Sequence, residues 1–463
     1  MGTFGINLNT TGLGLGQGIN VETTVATLVQ ALEEPEQPML DEQTFLQSQS
    51  SAISNISSLL TNLQTAVQAL QDPHGVLTDQ VANSSDTAVL TASTTGGATL
   101  GNHTITVGTL ATTSSVYTND LTDGNTAFGS GTIQLQVGSN TVTIPVDNTT
   151  NNDNTLNSLA SYINNNSQTL GVTASVITDA GGSRLSIVSN SSGQPGNITV
   201  VSNTTGLDFN NATTGKPNAI AGVNASLTVD GVPITSTSNT VTGAIPGVTL
   251  NLVGTSSSAV TVGVTPDTAS ATTAINNFVS AYNAVVQAIN TQFTYTAGAS
   301  SQPPLFADAG LEQVQQTLNS DINTAFTGNS GITNLASIGV ELQNDGTLQV
   351  NSSTLSTALT NNFSSVQNFL QQVTGQNGFA VQLNNDLTNL TNVVSGPMAI
   401  DLQGVNNSLT SVGNEINDFQ ANITIEQQQL TTEYSQVNAT LQQLPLTIQQ
   451  IDSELGLSTS SGA

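Results

Sequence analysis

Near the end of the chain every seventh residue is apolar. Leu402, Leu409, Ile416, Ile423, Leu430, Val437, Leu444 and Ile451 follow one another without a gap. A companion row runs three residues on (Val405, Val412, Phe419) and later four (Tyr434, Leu441, Ile448, Leu455). A seven-residue period split in this way keeps its stripe on one face only if the helix supercoils against a partner. The other end of the chain carries the counterpart: Leu46, Ile53, Leu60 and Val67, accompanied by Ile56, Leu63 and Leu70. Two seam helices at opposite ends constrain the fold more than any other feature, because they must lie side by side. That layout is expected of a chain that assembles with others, and is unusual for a soluble enzyme.

Between them the period changes. Asn20 is placed to cap a first helix with the face Val21, Val25, Leu28, Val29 and Leu32. Pro35 and Pro38 are expected to break it, and a second helix is predicted from about Met39 to Asp72, ended by Pro73-His74-Gly75. From about Thr78 the alternation is that of half-buried strands: Thr104–Val107, Thr132–Val137, Val142–Ile144, Val172–Ile177, Arg184–Val188, Ile198–Val201, Gly247–Val253 and Val260–Val264. One helix with Leu156, Leu159, Ala160 and Ile163 on a face interrupts them. Ala225–Val229, Asp230-Gly231 and Val232–Ile234 form the strongest hairpin signal. Helical spacing returns at Ala271–Phe293, Leu311–Phe326 and Ser353–Val373, with a turn at Asn344–Thr347 before a strand at Leu348–Val350.

The fold class is therefore α+β and multidomain, with a helical stalk (coiled coil or bundle) built from both chain ends and two β-rich domains inserted. We divide it into an N-terminal helical segment 1–44, a helical domain 45–75 plus 269–400, and a C-terminal coiled-coil segment 401–463. The first β-rich domain is 76–122 plus 216–268, with a second, 123–215, nested in it. A chain of 463 residues is too long for one core.

Charge excludes several classes of function. Arg184 and Lys216 are the only basic residues apart from two histidines, against 30 acidic ones. Nothing is available to neutralise phosphates, so nucleic acid is excluded as a partner and anionic membrane surfaces are disfavoured. Contacts must be apolar or hydrogen-bonded, and an acidic habitat is one physical cause of such a surface. Arg184 and Lys216 are expected to serve local turns or pairs. No window approaches the roughly 18 apolar residues of a membrane span. The start, Met1 to Asn20, has neither a cationic segment nor an apolar core, so an ordinary signal peptide is not expected.

Catalysis has little to stand on. There is no cysteine, and the two histidines lie in a breaker turn (His74) and a predicted strand (His103). A nucleophile–histidine–carboxylate arrangement or a transition-metal cluster is not expected from them. The acidic groups Glu33, Glu34, Glu36 and Asp147, Asp153 lack calcium-loop spacing. The Gly-rich stretch Gly12–Gly18 lacks the lysine and preceding strand of a phosphate loop. We assign no catalytic, metal or cofactor residues.

Five segments in order resemble the bacterial flagellar filament-cap family, also called hook-associated protein 2. They are Gly12–Val21 with Leu28-Val29; Gly101–Ala111; Ala225–Gly231 with Gly247–Leu250; Phe278–Asn283; and Ile338–Val340 with Asp345–Leu348. The resemblance implies a non-enzymatic protein at the filament tip, outside the cell, exported through the flagellar type III channel without a cleaved signal. It implies a homo-oligomeric ring of about five or six subunits that retains exported flagellin while it folds and inserts. An export chaperone and, in some members, surface adhesion belong to the same implication. Another axial component, such as flagellin or a hook–filament junction protein, is the first alternative, and a stalked surface adhesin the second.

The assembly seam is assigned to Leu46, Ile53, Leu60, Val67, Leu402, Leu409, Ile416, Ile423, Leu430, Val437, Leu444 and Ile451. Leu46–Leu70 is expected to pair within the chain. Leu430–Leu455, longer than its obvious partner, is expected to stay open for neighbours, as are residues before about 45. Pro445 and the change of spacing near Glu426 are expected to interrupt the last helix.

Overall fold

Asn20 starts the first helix, its side chain accepting from the Thr23 N–H (3.1 Å). The computed structural model describes residues 19–147, 154–211, 213–295, 297–298, 302–326, 331–373 and 376–454. The chain divides into a helical unit, Met1–Gln71 with Ala274–Ala463, and a β unit, Asp72–Thr273.

In the helical unit, helix Val21–Glu33 ends at Glu34-Pro35, and the next runs from Glu36 to Gln71. Pro38 was expected to break the chain, yet it lies in the first turn of that second helix. There its missing N–H had no intrahelical acceptor to lose. Ile53, Ile56, Leu60, Leu63, Val67 and Leu70 are fully buried along this helix. Helix Thr268–Phe293 starts on Asp267, whose carboxylate accepts from the Ala269 and Ser270 N–H groups and the Ser270 hydroxyl. Its Phe278 rests edge-on against Phe379 (5.7 Å), which stacks on Phe369 (5.8 Å), itself edge-on to Phe326 (5.6 Å). Asn283 pins the hairpin Val340–Leu342/Leu348–Val350: its amide oxygen accepts from the Leu348 N–H (2.7 Å) and its NH₂ donates to the Leu348 carbonyl (2.8 Å).

Three helical expectations change. Leu311–Phe326 is helical only over Ala309–Asn323. Ser353–Val373 is two helices, Ser352–Asn361 and Phe363–Leu370, divided at Asn362, a residue type that favours helix ends. Helix Phe379–Leu390, which the periodicity reading passed over, buries Phe379, Ala380, Leu383, Leu387 and Leu390. The last helix is not interrupted: it runs 58 residues, Pro397–Glu454, through Pro445 and through the change of spacing near Glu426. Proline's fixed φ suits a helix, and the only bond lost is to the Leu441 carbonyl. The helix nevertheless continues without a break on both sides of that position.

The β unit has two cores. A five-stranded antiparallel sheet takes the order Gln80–Ser84, Val260–Pro266, Gly101–Thr109, Ala225–Val229, Val232–Ser236. A three-stranded sheet joins Thr240–Ile245, Val248–Leu252 and Leu90–Thr94. Together they bury Leu90, Ile105, Val107, Leu227, Leu250 and Val262. The second core lies between the sheet Ala219–Ile220, Thr113–Tyr117, Gly182–Ser192, Val172–Asp179 and the sheet Asn140–Val146, Gly131–Val137, Ile198–Asn203. Helix Leu156–Asn165, started by a Thr155–Ser158 capping box, adds Leu156, Leu159 and Ile163 to it. Gln80–Ser84, Leu90–Thr94, Thr113–Tyr117 and Thr240–Ile245 were not predicted; each is short and holds at most two large aliphatic residues, too few for alternation to show.

Candidate assembly surface

Helix Glu36–Gln71 and the terminal helix Pro397–Glu454 run antiparallel. Ser57, Leu60 and Thr61 share a groove of about 460 Å³ with Met398, Leu402 and Asn406. Further along, Gln43 lies beside Gly413, and the Gln420 amide donates to Glu36 Oε1 (2.6 Å). Helix Val21–Glu33 continues the cover, packing on the terminal helix and burying Val25 and Val29. Of the first helix's apolar face, Val25 and Val29 are thus covered within the chain, whereas Leu32 stays exposed.

The seam positions fall into three sets. Leu46, Ile53, Leu60 and Val67 are buried, as is Ile416. Leu402, Leu409, Ile423 and Leu430 are half-buried, as are the companions Val405, Val412, Phe419, Tyr434 and Leu441. Beyond them Val437 (43% exposed), Leu444 (43%), Ile448 (39%) and Ile451 (48%) stand in solvent. Leu455 and the Gly12–Gly18 stretch lie outside the described residues. A helix rises about 1.5 Å per residue, so the 58 residues of the terminal helix span about 87 Å. The 36 residues of Glu36–Gln71 span about 54 Å and the 13 of Val21–Glu33 about 20 Å. The two shorter helices end before the long one does, which is why its far end carries a bare stripe.

The remaining polar candidates are local. His103 Nδ1 meets Asp230 Oδ2 at 2.8 Å, and Asp230 Oδ1 accepts from the Thr104 N–H (2.8 Å). The contact with His103, and then the Thr104 N–H, hold the Asp230 carboxyl below the usual carboxylate range. Asp230 (φ 50°) and Gly231 (φ 83°) make the left-handed pair of a type I′ hairpin turn. Arg184 pairs with Asp120 (2.7 Å) and Asp179 (3.0 Å). Lys216 closes a turn, its carbonyl accepting from the Asn211 N–H (2.7 Å). His74 is exposed in its turn, its own N–H donating to Asp72 Oδ1 (2.9 Å). Glu33 and Glu34 are exposed, and Asp153 lies outside the described residues. Among the described residues no three His, Cys, Asp or Glu side chains gather as a metal group, and no helix is long and apolar enough to cross a membrane.

Sequence reasoning missed two carboxyl contacts in the helical unit, Asp308 with Asp401 and Asp321 with Asp386. The signal for one was present: Asp321 interrupts the stripe Leu311, Val314, Leu318, Ile322 on its buried side.

The fold defines a class: a multidomain α+β protein whose helical unit is closed by both ends of the chain. Known proteins share it. The model described as flagellar hook-associated protein 2 N-terminus matches residues 17–114, that of its C-terminus residues 222–445, and the flagellin hook IN motif residues 132–191. The B-type flagellar hook-associated protein 2 of Pseudomonas aeruginosa is 31% identical over 294 residues, 58% of this chain and 61% of that protein. The flagellar hook-associated protein 2 of Escherichia coli K12 is 29% identical over 326 residues, 66% of this chain and 69% of its own. The crystal structure of the flagellar cap protein FliD D1-D2-D3 domains from Escherichia coli superposes with a TM-score of 0.57 at 28% identity, covering 77% of this chain and 99% of that one. The chain belongs to the flagellar hook-associated protein 2 family.

Proposed function

We propose that this protein is a flagellar filament cap. Copies of it close the growing end of the filament, outside the cell, and retain exported flagellin so that it folds and inserts there. The protein works mechanically and not as an enzyme, and it reaches its place through the flagellar export channel without a cleaved signal. Its partners are further copies of itself in a ring of about five or six, flagellin, and an export chaperone before secretion. Adhesion to surfaces is a further role open to the β unit.

The observation that carries this reading is the far end of the terminal helix, where Val437, Leu444, Ile448 and Ile451 remain uncovered. An apolar stripe of this kind binds without direction or charge, which suits a contact that must change register as subunits insert. Each side chain, once buried, contributes about 1.5–3 kcal/mol, so a few suffice for assembly. The assignment of all twelve seam positions to assembly is part of the proposal.

The test is the amount of unpolymerised flagellin in the medium of a strain lacking this gene. Abundant free monomer with short filaments, reversed by the wild-type gene but not by one carrying V437S, L444S and I451S, is the expected result. Normal filaments without leaked flagellin in the deletion strain overturn the reading in favour of an adhesin.

A further inference from the structure

Helix Ala309–Asn323 lies in a unit that contains no Lys, Arg or His. It meets a second carboxyl group at each end.

At its start, Asp308 caps the helix by accepting from the Leu311 N–H (2.8 Å). Asp401, from the first turns of the terminal helix, comes against the same turn. A Cβ on Gly310 would stand 2.0 Å from Asp401 Oδ2, so a larger residue there would push that carboxyl aside. Burial, and then the charge of Asp308, raise Asp401 above the ordinary carboxylate range.

At the other end, Asp321 is 5% exposed and hydrogen-bonded to Asp386 of helix Phe379–Leu390. Burial first, and Asp386 second, push it to about 7. Tyr282 of helix Thr268–Phe293 is fully buried nearby, and neither its hydroxyl nor Asp321 Oδ2 has a hydrogen-bond partner.

The neighbours offer no counter-charge. Asp386 is the one titratable group of helix Phe379–Leu390, and Tyr282 that of helix Thr268–Phe293. The terminal helix presents Asp401, and its other titratable residues, Glu415, Asp418, Glu426, Glu433, Tyr434, Asp452 and Glu454, are acidic or neutral. The helix's own Glu312 is exposed. Ionising both carboxyl groups of a contacting pair is unfavourable in such surroundings, whereas one shared proton turns repulsion into an O–H···O⁻ bond.

We propose that helix Ala309–Asn323 is clamped at both ends by proton-sharing carboxyl pairs, Asp308–Asp401 and Asp321–Asp386, so that mild acid tightens the helical unit and alkali loosens it. The sign follows from linkage. An acid that holds its proton more firmly in the folded state favours folding fully below its unfolded value, and that contribution is lost as pH rises toward the folded one. For Asp321 the window runs from the ordinary carboxylate range up to about 7. No step at the filament tip is needed for this, so it stands or falls apart from the cap reading.

The test is thermal unfolding of the full chain, followed by helix circular dichroism between about pH 5 and pH 8. The wild-type midpoint is expected to fall by roughly 5 °C across that range. D321N, whose amide donates to Asp386 without a proton, should flatten the dependence and unfold above the wild type at the alkaline end. D418N removes one exposed charge and should leave the slope intact, which separates the clamp from general self-repulsion. D386N supplies the same comparison if D321N does not fold. The infrared band of a protonated carboxylic acid should persist in the folded wild type near neutral pH, and weaken in both variants. An unchanged slope in D321N or D386N, or no protonated carboxyl in the folded wild type near pH 6, overturns the proposal.

Discussion

The helical unit has no Lys, Arg or His, whereas the β unit holds all of them: His74, His103, Arg184 and Lys216. The two units are accordingly held by different forces. In the first, apolar stripes, a ring cluster and carboxyl pairs bring helices together along their lengths. In the second, strand register is fixed at points: the Asp230-Gly231 turn with its bonds to His103 and Thr104, and the Arg184 pairs with Asp120 and Asp179. Stripe contacts tolerate sliding because each apolar side chain accepts many neighbours. Point contacts do not, since a one-residue slip in a strand turns every side chain to the wrong face. The unit whose last helix offers a bare stripe is thus also the one held by contacts without direction.

Several measurements break or sharpen this contrast. Phe379→Ala removes the ring that meets both Phe278 and Phe369, and should cost about 3–5 kcal/mol. In denaturant it should lower the helical transition and leave that of the β sheets in place; a common shift would mean the units unfold as one. Asn283→Ala frees both Leu348 bonds and should cost about 1–3 kcal/mol, again in the helical transition alone. Arg184→Ala touches only the β unit, and its partly exposed pairs make a loss of about 0–1 kcal/mol the expectation. The smallest change should come from Leu444→Ser at the bare end, within about 0.5 kcal/mol.

Acid should also act on the units in opposite directions. Asp230 is held below the ordinary carboxylate value, so its contribution is present above that value and disappears as pH falls through its folded one. Asp321 is raised to about 7, so its contribution disappears as pH rises. Hydrogen exchange of strand amides and helix amides across the pH range reads the two separately. Parallel responses in both sets would remove the contrast.

The sequence reading reached the parts whose spacing repeats. Heptad rows at 46–70 and 402–451 located both long helices, and the Asp230-Gly231 pair located its hairpin with Leu227 opposite Ile234. It failed where a local signal competes with context. Pro445 reads as a break, but one lost bond does not stop a helix that the turns on both sides hold. Pro38 reads as a break, but in a first turn its lost donor had no acceptor. The strand Thr113–Tyr117 holds one large aliphatic residue, Val116, so pairing with Gly182–Ser192 and not its own pattern makes it a strand.

By itself the sequence determined the two-ended helical layout, the inserted strands, and a surface with almost no positive charge. These follow from periodicity and composition, which are properties of each segment alone. Only the tertiary structure decided where helix Val21–Glu33 lies, and so where cover of the last helix stops. It alone brought Asp308 to Asp401 and Asp321 to Asp386. Those outcomes depend on which segments meet across long stretches of chain, and on how much water is excluded where they do. A carboxyl group carries no mark in the sequence of whether its neighbour in space is a lysine, water or another acid.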